Sequence, residues 1–242
     1  RGGNAFDAAV AVAATVGVVE PYSSGLGGGG FFLLHRAADA HTVMIDARET
    51  APAGITQAHY FDAQGNPIRG ASVQGGTAVG IPGLPAALVH VAQRYGKLPL
   101  SITLAPAIRL ARDGFKVDVR YARIAALREA FLRAGTHTDI FLDDGNAPQA
   151  GFLLRQPALA DTLERIARFG ASGFYSGPVA RALVDAVNQA GGVWTPADLA
   201  SYKVIEREPV RFTFQGATVT AAALPSAGGI ALAQSLGMLE RL

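Results

Sequence analysis

The segment 45–50 holds the residue best suited to binding chemistry, Arg48, with carboxylates nearby at Asp46 and Glu49. A predicted strand ends here and runs into a loop that contains Pro52, and loops on a rigid frame commonly carry binding residues. A guanidinium can bind a carboxylate through two parallel hydrogen bonds, which a lysine cannot reproduce. The local residues allow two interpretations: a binding site that Asp46 and Glu49 orient, or an ion pair that stabilises the strand end.

Residues 25–30 read Gly-Leu-Gly-Gly-Gly-Gly, a composition that could cradle a phosphate through bare backbone amides. Nucleotide-binding loops follow a strand and open a helix, whereas this run follows a predicted helix and precedes a predicted strand. No Lys-Ser or Lys-Thr pair follows it either. The glycines therefore indicate a backbone that needs positive φ angles or packs tightly against a neighbouring surface.

The sequence offers neither a nucleophile nor a metal site. It has no Gly-x-Ser-x-Gly elbow, no Ser-x-x-Lys and no cysteine, so thiol catalysis, disulfides and thiolate zinc sites are excluded. The five histidines do not have the spacing of metal ligands. They are His35, His41, His59, His90 and His137. We expect no metal site, no cofactor and no catalytic residue within residues 1–242.

Composition excludes several classes of protein. The 242 residues are 50% hydrophobic and 17% charged, which is not the composition of a disordered chain. The formal charge is only +2, so a nucleic-acid partner is not implied. No apolar run reaches the ~18 residues of a membrane span. The basic residues between 109 and 133 alternate with acids and indicate a solvated helix face; they are Arg109, Arg112, Lys116, Arg120, Arg123, Arg128 and Arg133.

The periodicity predicts a mixed α+β fold in one domain that spans residues 1–242. A first helix is expected at 4–19, with Asn4 as its cap. Further helices are expected at 82–95, 101–112, 118–133, 156–169, 177–190 and 230–242, and a short one that starts at 195. Hairpins are expected from strands 31–36 and 41–48, and from strands 210–214 and 217–224. The chain begins at Arg1 and ends at Leu242 without helix-closing signals, so we expect it to be part of a longer polypeptide.

Eight segments in order along the chain resemble the γ-glutamyltranspeptidase family, also called glutathione hydrolases. They begin at residues 2–9, 25–31 and 46–52 and continue through 80–83, 105–114, 173–177, 198–202 and 225–229. Each segment is short, but the eight occur in order along almost the whole chain. At one position the sequence departs from the family, since Ala47 stands where an aromatic residue is frequent.

The resemblance implies an N-terminal-nucleophile hydrolase fold, an αββα sandwich, of which this chain is the helix-rich part of the large subunit. In that family a precursor cuts itself and exposes a threonine on a small subunit, which here lies outside the chain. The threonine forms a γ-glutamyl ester that water or an amino-acid or peptide acceptor resolves. The large subunit's arginine, Arg48 here, holds the α-carboxylate of glutathione or another γ-glutamyl donor. The resemblance also implies a periplasmic or secreted enzyme.

Two alternatives remain at this stage. The first is an acylase of the same fold that acts on β-lactam side chains or on poly-γ-glutamate. The second is a non-catalytic binding or assembly fragment. In each case this chain by itself is expected to be inactive, because Arg1 provides no hydroxyl nucleophile.

Overall fold

The computed structural model describes residues 1–135 and 139–241, and its first helix is α1 (Ala5–Val19). The Asn4 side chain accepts two backbone N–H groups of the first turn of α1. The Asp7 carboxylate accepts the N–H of Asn4 in return, which completes a capping box. The cap predicted at Asn4 is therefore confirmed.

Nine further α-helices and seven strands lie within the described residues. The helices are α2 (Leu84–Arg94), α3 (Leu100–Thr103), α4 (Ala105–Asp113), α5 (Val119–Ala134), α6 (Pro157–Phe169), α7 (Ser172–Tyr175), α8 (Gly177–Gln189), α9 (Pro196–Ser201) and α10 (Gly228–Leu239). The strands are β1 (Gly30–Arg36), β2 (His41–Ala47), β3 (Phe115–Lys116), β4 (Leu153–Leu154), β5 (Ile205–Arg207), β6 (Val210–Phe214) and β7 (Ala217–Ala221). Short 3-10 helices lie at Gln57–Tyr60, Gly76–Ala78 and Asp139–Phe141.

The strands form three small antiparallel sheets. Both predicted hairpins are confirmed, since β1 pairs with β2 and β6 pairs with β7. The last strand ends at Ala221, three residues before its predicted end at 224. Gly30 lies opposite Ala47, and Arg36 lies opposite His41 at the other end of the first hairpin. β5 joins the free edge of β2 and gives a sheet of order β1-β2-β5, an addition that the sequence pattern did not indicate. β3 and β4 form a short separate pair.

The central strand β2 is fixed by burial. All its residues after His41 are buried, and α2 packs against it. The same core joins α1, α2, α4 and α6 through side chains that have no measurable exposure, among them Val10, Ile45, Leu88 and Leu163. Each such side chain contributes about 1.5–3 kcal/mol by leaving water. β2 therefore gives the residues that follow it a rigid base.

Three predicted helices differ from the structure. The helix expected over 82–95 comprises Leu84–Arg94 and begins two residues late. The helix expected over 101–112 is split at Leu104 into α3 and α4, because Pro106 cannot donate a backbone hydrogen bond and instead lies in the first turn of a new helix. Ser101 lies inside α3 and does not cap it. The last helix begins at Gly228, two residues before its predicted start, and Leu242 lies outside the described residues. Within the described part of the chain, no helix has the length and apolarity needed to cross a bilayer.

Asp7 connects α1 to the segment after α2. Its buried carboxylate accepts backbone N–H groups from Asn4, Lys97 and Leu98 at 2.8–3.1 Å. Burial by itself would raise the pKa of Asp7, but these N–H donors and the charge of Lys97 lower it below its ordinary value. A lowered pKa means that the ionised carboxylate stabilises the folded state.

Replacement of this carboxylate tests its contribution. We expect Asp7→Asn to lower the free energy of unfolding at pH 7 by about 2 kcal/mol, because three charge-assisted hydrogen bonds are weakened. The contribution of Asp7 is present above its unfolded pKa of about 3.9 and is lost as the pH falls through the lower folded pKa. Urea unfolding at pH 7 and pH 3 should therefore give a smaller difference between the two proteins at pH 3. An equal difference at both pH values would contradict this assignment.

Candidate functional site

Arg48 follows the last residue of β2, and both of its backbone groups are hydrogen-bonded. Its N–H donates to Asp46 Oδ1 at 3.1 Å, and its carbonyl oxygen accepts the hydroxyl of Tyr202 at 2.8 Å. Two residues further on, Thr50 and Ile81 exchange backbone hydrogen bonds in both directions. The backbone around Arg48 is therefore fixed from both sides of the chain.

The guanidinium of Arg48, in contrast, is largely open to solvent. Its side chain is 60% exposed, and its nearest charged partner is Glu49, with Nε 3.4 Å from Oε2. An exposed ion pair of this kind contributes at most about 1 kcal/mol, so the guanidinium can exchange Glu49 for another carboxylate at low cost. A fixed backbone combined with an exposed, weakly paired guanidinium is the arrangement expected of a binding residue.

Asp46 does not orient the guanidinium of Arg48, and that part of the sequence interpretation is wrong. Its side chain is buried, and its Oδ2 accepts Nε of Arg207 in β5 at 2.7 Å. The other oxygen is occupied by the backbone N–H of Arg48. Asp46 therefore holds the strand end in place, and Arg207 neutralises its buried charge. Arg207 lies 161 residues further along the chain, so no local pattern could have indicated it.

The glycine run, residues 25–30, packs against the same strand end. None of its glycines has a positive φ, so that alternative is wrong, and the tight packing is confirmed at Gly29. A Cβ at Gly29 would overlap the carbonyl oxygen of Ala47 and lie 3.1 Å from the Cα of Arg48. The Gly28 carbonyl oxygen accepts the N–H groups of Gly83 and Leu84 at 2.9 and 3.0 Å. The run thus joins the start of α2 to the base of Arg48.

A pair of stacked tyrosines closes the other side. The rings of Tyr175 and Tyr202 lie 5.5 Å apart with an interplanar angle of 5°. Burial raises the pKa of the Tyr202 phenol to about 12, and the charges of Asp46 and Glu49 raise it in the same direction. Tyr202 therefore keeps its proton at neutral pH and remains a hydrogen-bond donor to Arg48. The sequence resemblance includes residues 198–202, but no local pattern indicates the contact of Tyr202 with Arg48.

An open groove of about 790 Å³ lies beside the strand end. One face of α1, the glycine run, Phe32, Glu49 and Leu84 line it, and Arg48 itself does not. The volume is within the range of small-ligand sites. Because Glu49 both lines the groove and contacts Arg48, it connects the two.

The remaining candidate residues are the histidines and the basic stretch 109–133. Among residues 1–135 and 139–241, no three His, Asp or Glu side chains are arranged to hold a metal, and His137 lies outside these residues. His90 is satisfied by Glu206, with Nε2 2.8 Å from Oε1. Several basic residues expected on a solvated face are engaged within the chain. Arg112 pairs with Asp161 and Glu164, and Arg133 pairs with Glu129.

Known proteins share this architecture. The family model described as Gamma-glutamyltranspeptidase matches residues 1–242. The glutathione hydrolase proenzyme of Pseudomonas aeruginosa is 44% identical over 239 residues, which cover 99% of this chain and 42% of that relative. The γ-glutamyltranspeptidase structure from Helicobacter pylori aligns with a TM-score of 0.96 at 36% identity, over 100% of this chain and 69% of that one.

A second structure, the γ-glutamyltranspeptidase of Pseudomonas nitroreducens complexed with L-DON, aligns with a TM-score of 0.90 at 42% identity, over 99% of this chain and 70% of that one. The described helices and sheets are thus part of an N-terminal-nucleophile hydrolase fold, as the sequence predicted. The chain belongs to the γ-glutamyltranspeptidase family. It spans about two-fifths of the length of the curated relatives that it matches.

Proposed function

We propose that the whole protein removes the γ-glutamyl group from glutathione and related γ-glutamyl amides and transfers it to water or to an amino-acid or peptide acceptor. The group passes through an ester on a threonine that lies outside this chain. The contribution of this chain is Arg48, which binds the α-carboxylate of the donor through two hydrogen bonds. No cofactor takes part.

The arrangement of Arg48 is the observation that carries this proposal. A γ-glutamyl donor has a free α-carboxylate several bonds away from the amide that breaks. A guanidinium on a fixed backbone holds that carboxylate at a constant distance from the reacting carbonyl, and such orientation contributes to the rate. The 60% exposure of Arg48 leaves the guanidinium free to form this contact.

The proposed partner is a small subunit cut from the same precursor. The matched relative from Pseudomonas aeruginosa is named a proenzyme, which supports a processed protein of two chains. We further propose a periplasmic or secreted location and a single domain that spans residues 1–242 of the large subunit. An apolar part of α10 is open for the partner, since Met238 and Leu239 are 64% and 58% exposed.

The experiment uses the protein expressed from its whole reading frame, purified and incubated with glutathione. We expect mass spectrometry to find two chains, the second of which begins with threonine, and we expect glutamate release. The control is residues 1–242 expressed by themselves, which should release no glutamate. Glutamate release by this control would refute the placement of the nucleophile.

The same preparation distinguishes the rival functions. An acylase of this fold would cut a β-lactam side-chain amide or poly-γ-glutamate in preference to glutathione. A non-catalytic fragment would remain a single chain and cut none of these substrates. Either result would replace the proposed function.

A further inference from the structure

The hydroxyl of Tyr202 and the carbonyl of Arg48 form a hydrogen bond of 2.8 Å across 154 residues of chain. We propose that Tyr202 is a positioning residue for the γ-glutamyl donor: it fixes the peptide group of Arg48 and thereby the direction of its guanidinium toward the donor α-carboxylate. This inference rests on the proposed function, because it assigns to Tyr202 a role that acts only through Arg48.

Tyr202 is itself fixed by a second tyrosine. Its ring stacks on Tyr175, and the Tyr175 hydroxyl donates to the carbonyl oxygen of Pro82 at 2.7 Å and accepts the N–H of Ala86 at 3.2 Å. Tyr175 is thus bonded to the start of α2 on two sides, and it is buried. The stacked pair therefore transmits the position of a core helix to the carbonyl of Arg48.

The space for the Tyr202 hydroxyl exists because residue 83 is a glycine. A Cβ at Gly83 would overlap both the carbonyl oxygen of Ala47 and the hydroxyl of Tyr202. The N–H of Gly83 donates to the carbonyl oxygen of Gly28. The phenol therefore lies where the start of α2, the end of β2 and the glycine run meet.

The physical effect follows from the two hydrogen bonds of the Arg48 backbone. Asp46 holds the N–H and Tyr202 holds the C=O, so the two peptide groups that flank the Cα are both fixed. Removal of the phenolic hydroxyl frees one of them, and a small rotation there moves the guanidinium at the end of its long side chain. Because the grip on the carboxylate persists from the bound donor to the transition state, its weakening raises KM more than it changes kcat.

The test is Tyr202→Phe in the whole, processed enzyme, since phenylalanine keeps the stacked ring and removes only the hydroxyl. We expect KM for γ-glutamyl-p-nitroanilide to rise about tenfold, with kcat changed less than threefold. The matched control is Tyr60→Phe, which deletes a hydroxyl that donates to the Thr77 carbonyl oxygen at 2.9 Å. Tyr60→Phe should lower the melting temperature about as much as Tyr202→Phe does, because each loses one hydrogen bond to a backbone carbonyl. Tyr60→Phe should leave KM unchanged.

A double-variant cycle separates positioning from a general structural role. In an Arg48→Ala background, Tyr202→Phe should change kcat/KM less than twofold, because the group that it positions is gone. A full tenfold loss in that background would overturn the proposal, and so would an unchanged KM in Tyr202→Phe by itself. Failure of the Tyr202→Phe precursor to process, with normal processing of Tyr60→Phe, would overturn it as well. Near-normal turnover by Arg48→Ala would instead refute the proposed function of the site.

Discussion

Arg48→Ala in the whole enzyme is expected to lower kcat/KM for γ-glutamyl-p-nitroanilide by about a thousandfold, and Arg48→Lys by about a hundredfold. A bound donor would remove the Arg48–carboxylate pair from water, and loss of one partner of a buried hydrogen-bonded charge pair costs about 2–5 kcal/mol. Each 1.36 kcal/mol is a factor of ten in rate. Lysine keeps the charge but loses the two-pronged geometry, so the Lys variant should be only partly active. Steady-state kinetics of both variants measures the effect.

The control for Arg48 lies on the same hairpin. Arg36 pairs with Asp39 at the far end of β1, and Arg36→Lys should leave donor kinetics unchanged. Self-cleavage should continue in both Arg48 variants, as two chains on a denaturing gel would demonstrate. Near-normal turnover by Arg48→Ala enzyme would contradict the assignment of Arg48 as the donor's anchor.

Gly29→Ala is expected to lower the free energy of unfolding by about 3 kcal/mol and to reduce the yield of folded protein. The added Cβ overlaps the carbonyl oxygen of Ala47, a backbone atom of the buried strand β2 that cannot move aside. Forced overlap in a well-packed region typically costs 1–3 kcal/mol, and a clash with backbone belongs to the upper part of that range. Chemical denaturation of the purified variant gives this free energy.

Gly27→Ala is the matched control because it lies in the same run and its Cβ would have no atom within 4 Å. This variant should change the free energy of unfolding by less than about 1 kcal/mol, since neither packing nor a positive φ is involved. Equal stability of the Gly29 and Gly27 variants would indicate that the close approach at Gly29 is relieved by a shift of the loop.

The elements that sequence analysis predicted correctly are those with local signals. The capping box of Asn4 and Asp7 marks the start of α1. A four-residue turn connects β1 and β2 in their hairpin. Asp118 likewise caps α5 by accepting the N–H of Tyr121. Each of these signals lies within a few residues of the structure that it determines.

The features that sequence analysis missed depend on distant partners. β5 has only three residues, and it forms a strand because the free edge of β2 offers it hydrogen bonds. Nothing near residue 205 in the sequence indicates this pairing. The split of the predicted helix 101–112 is different, because it has a local signal. Pro106 favours the first turn of a helix, so the sequence by itself could have indicated that a new helix begins there.

The sequence predicted one residue of the candidate site, Arg48, but not the contacts that hold it in place. The residue type and the position of Arg48 at a strand end made it a candidate for binding, and in the structure it directly follows β2 with an exposed side chain. The partner of Asp46 could not be predicted from the sequence, because Arg207 reaches the Asp46 carboxylate only once β5 pairs with β2. Tyr202 was missed for the same reason, since its contact with Arg48 exists only in three dimensions.

The position of β1 has a consequence for handling the protein. β1 lies at the edge of its sheet, and within residues 1–135 and 139–241 no strand pairs with its outer side. It carries four consecutive apolar residues, 31–34, without charge or proline, the kind of segment that recruits further chains into intermolecular β-structure. A preparation in which nothing covers this edge should aggregate on storage. A segment that pairs with this edge of β1 would also prevent such association.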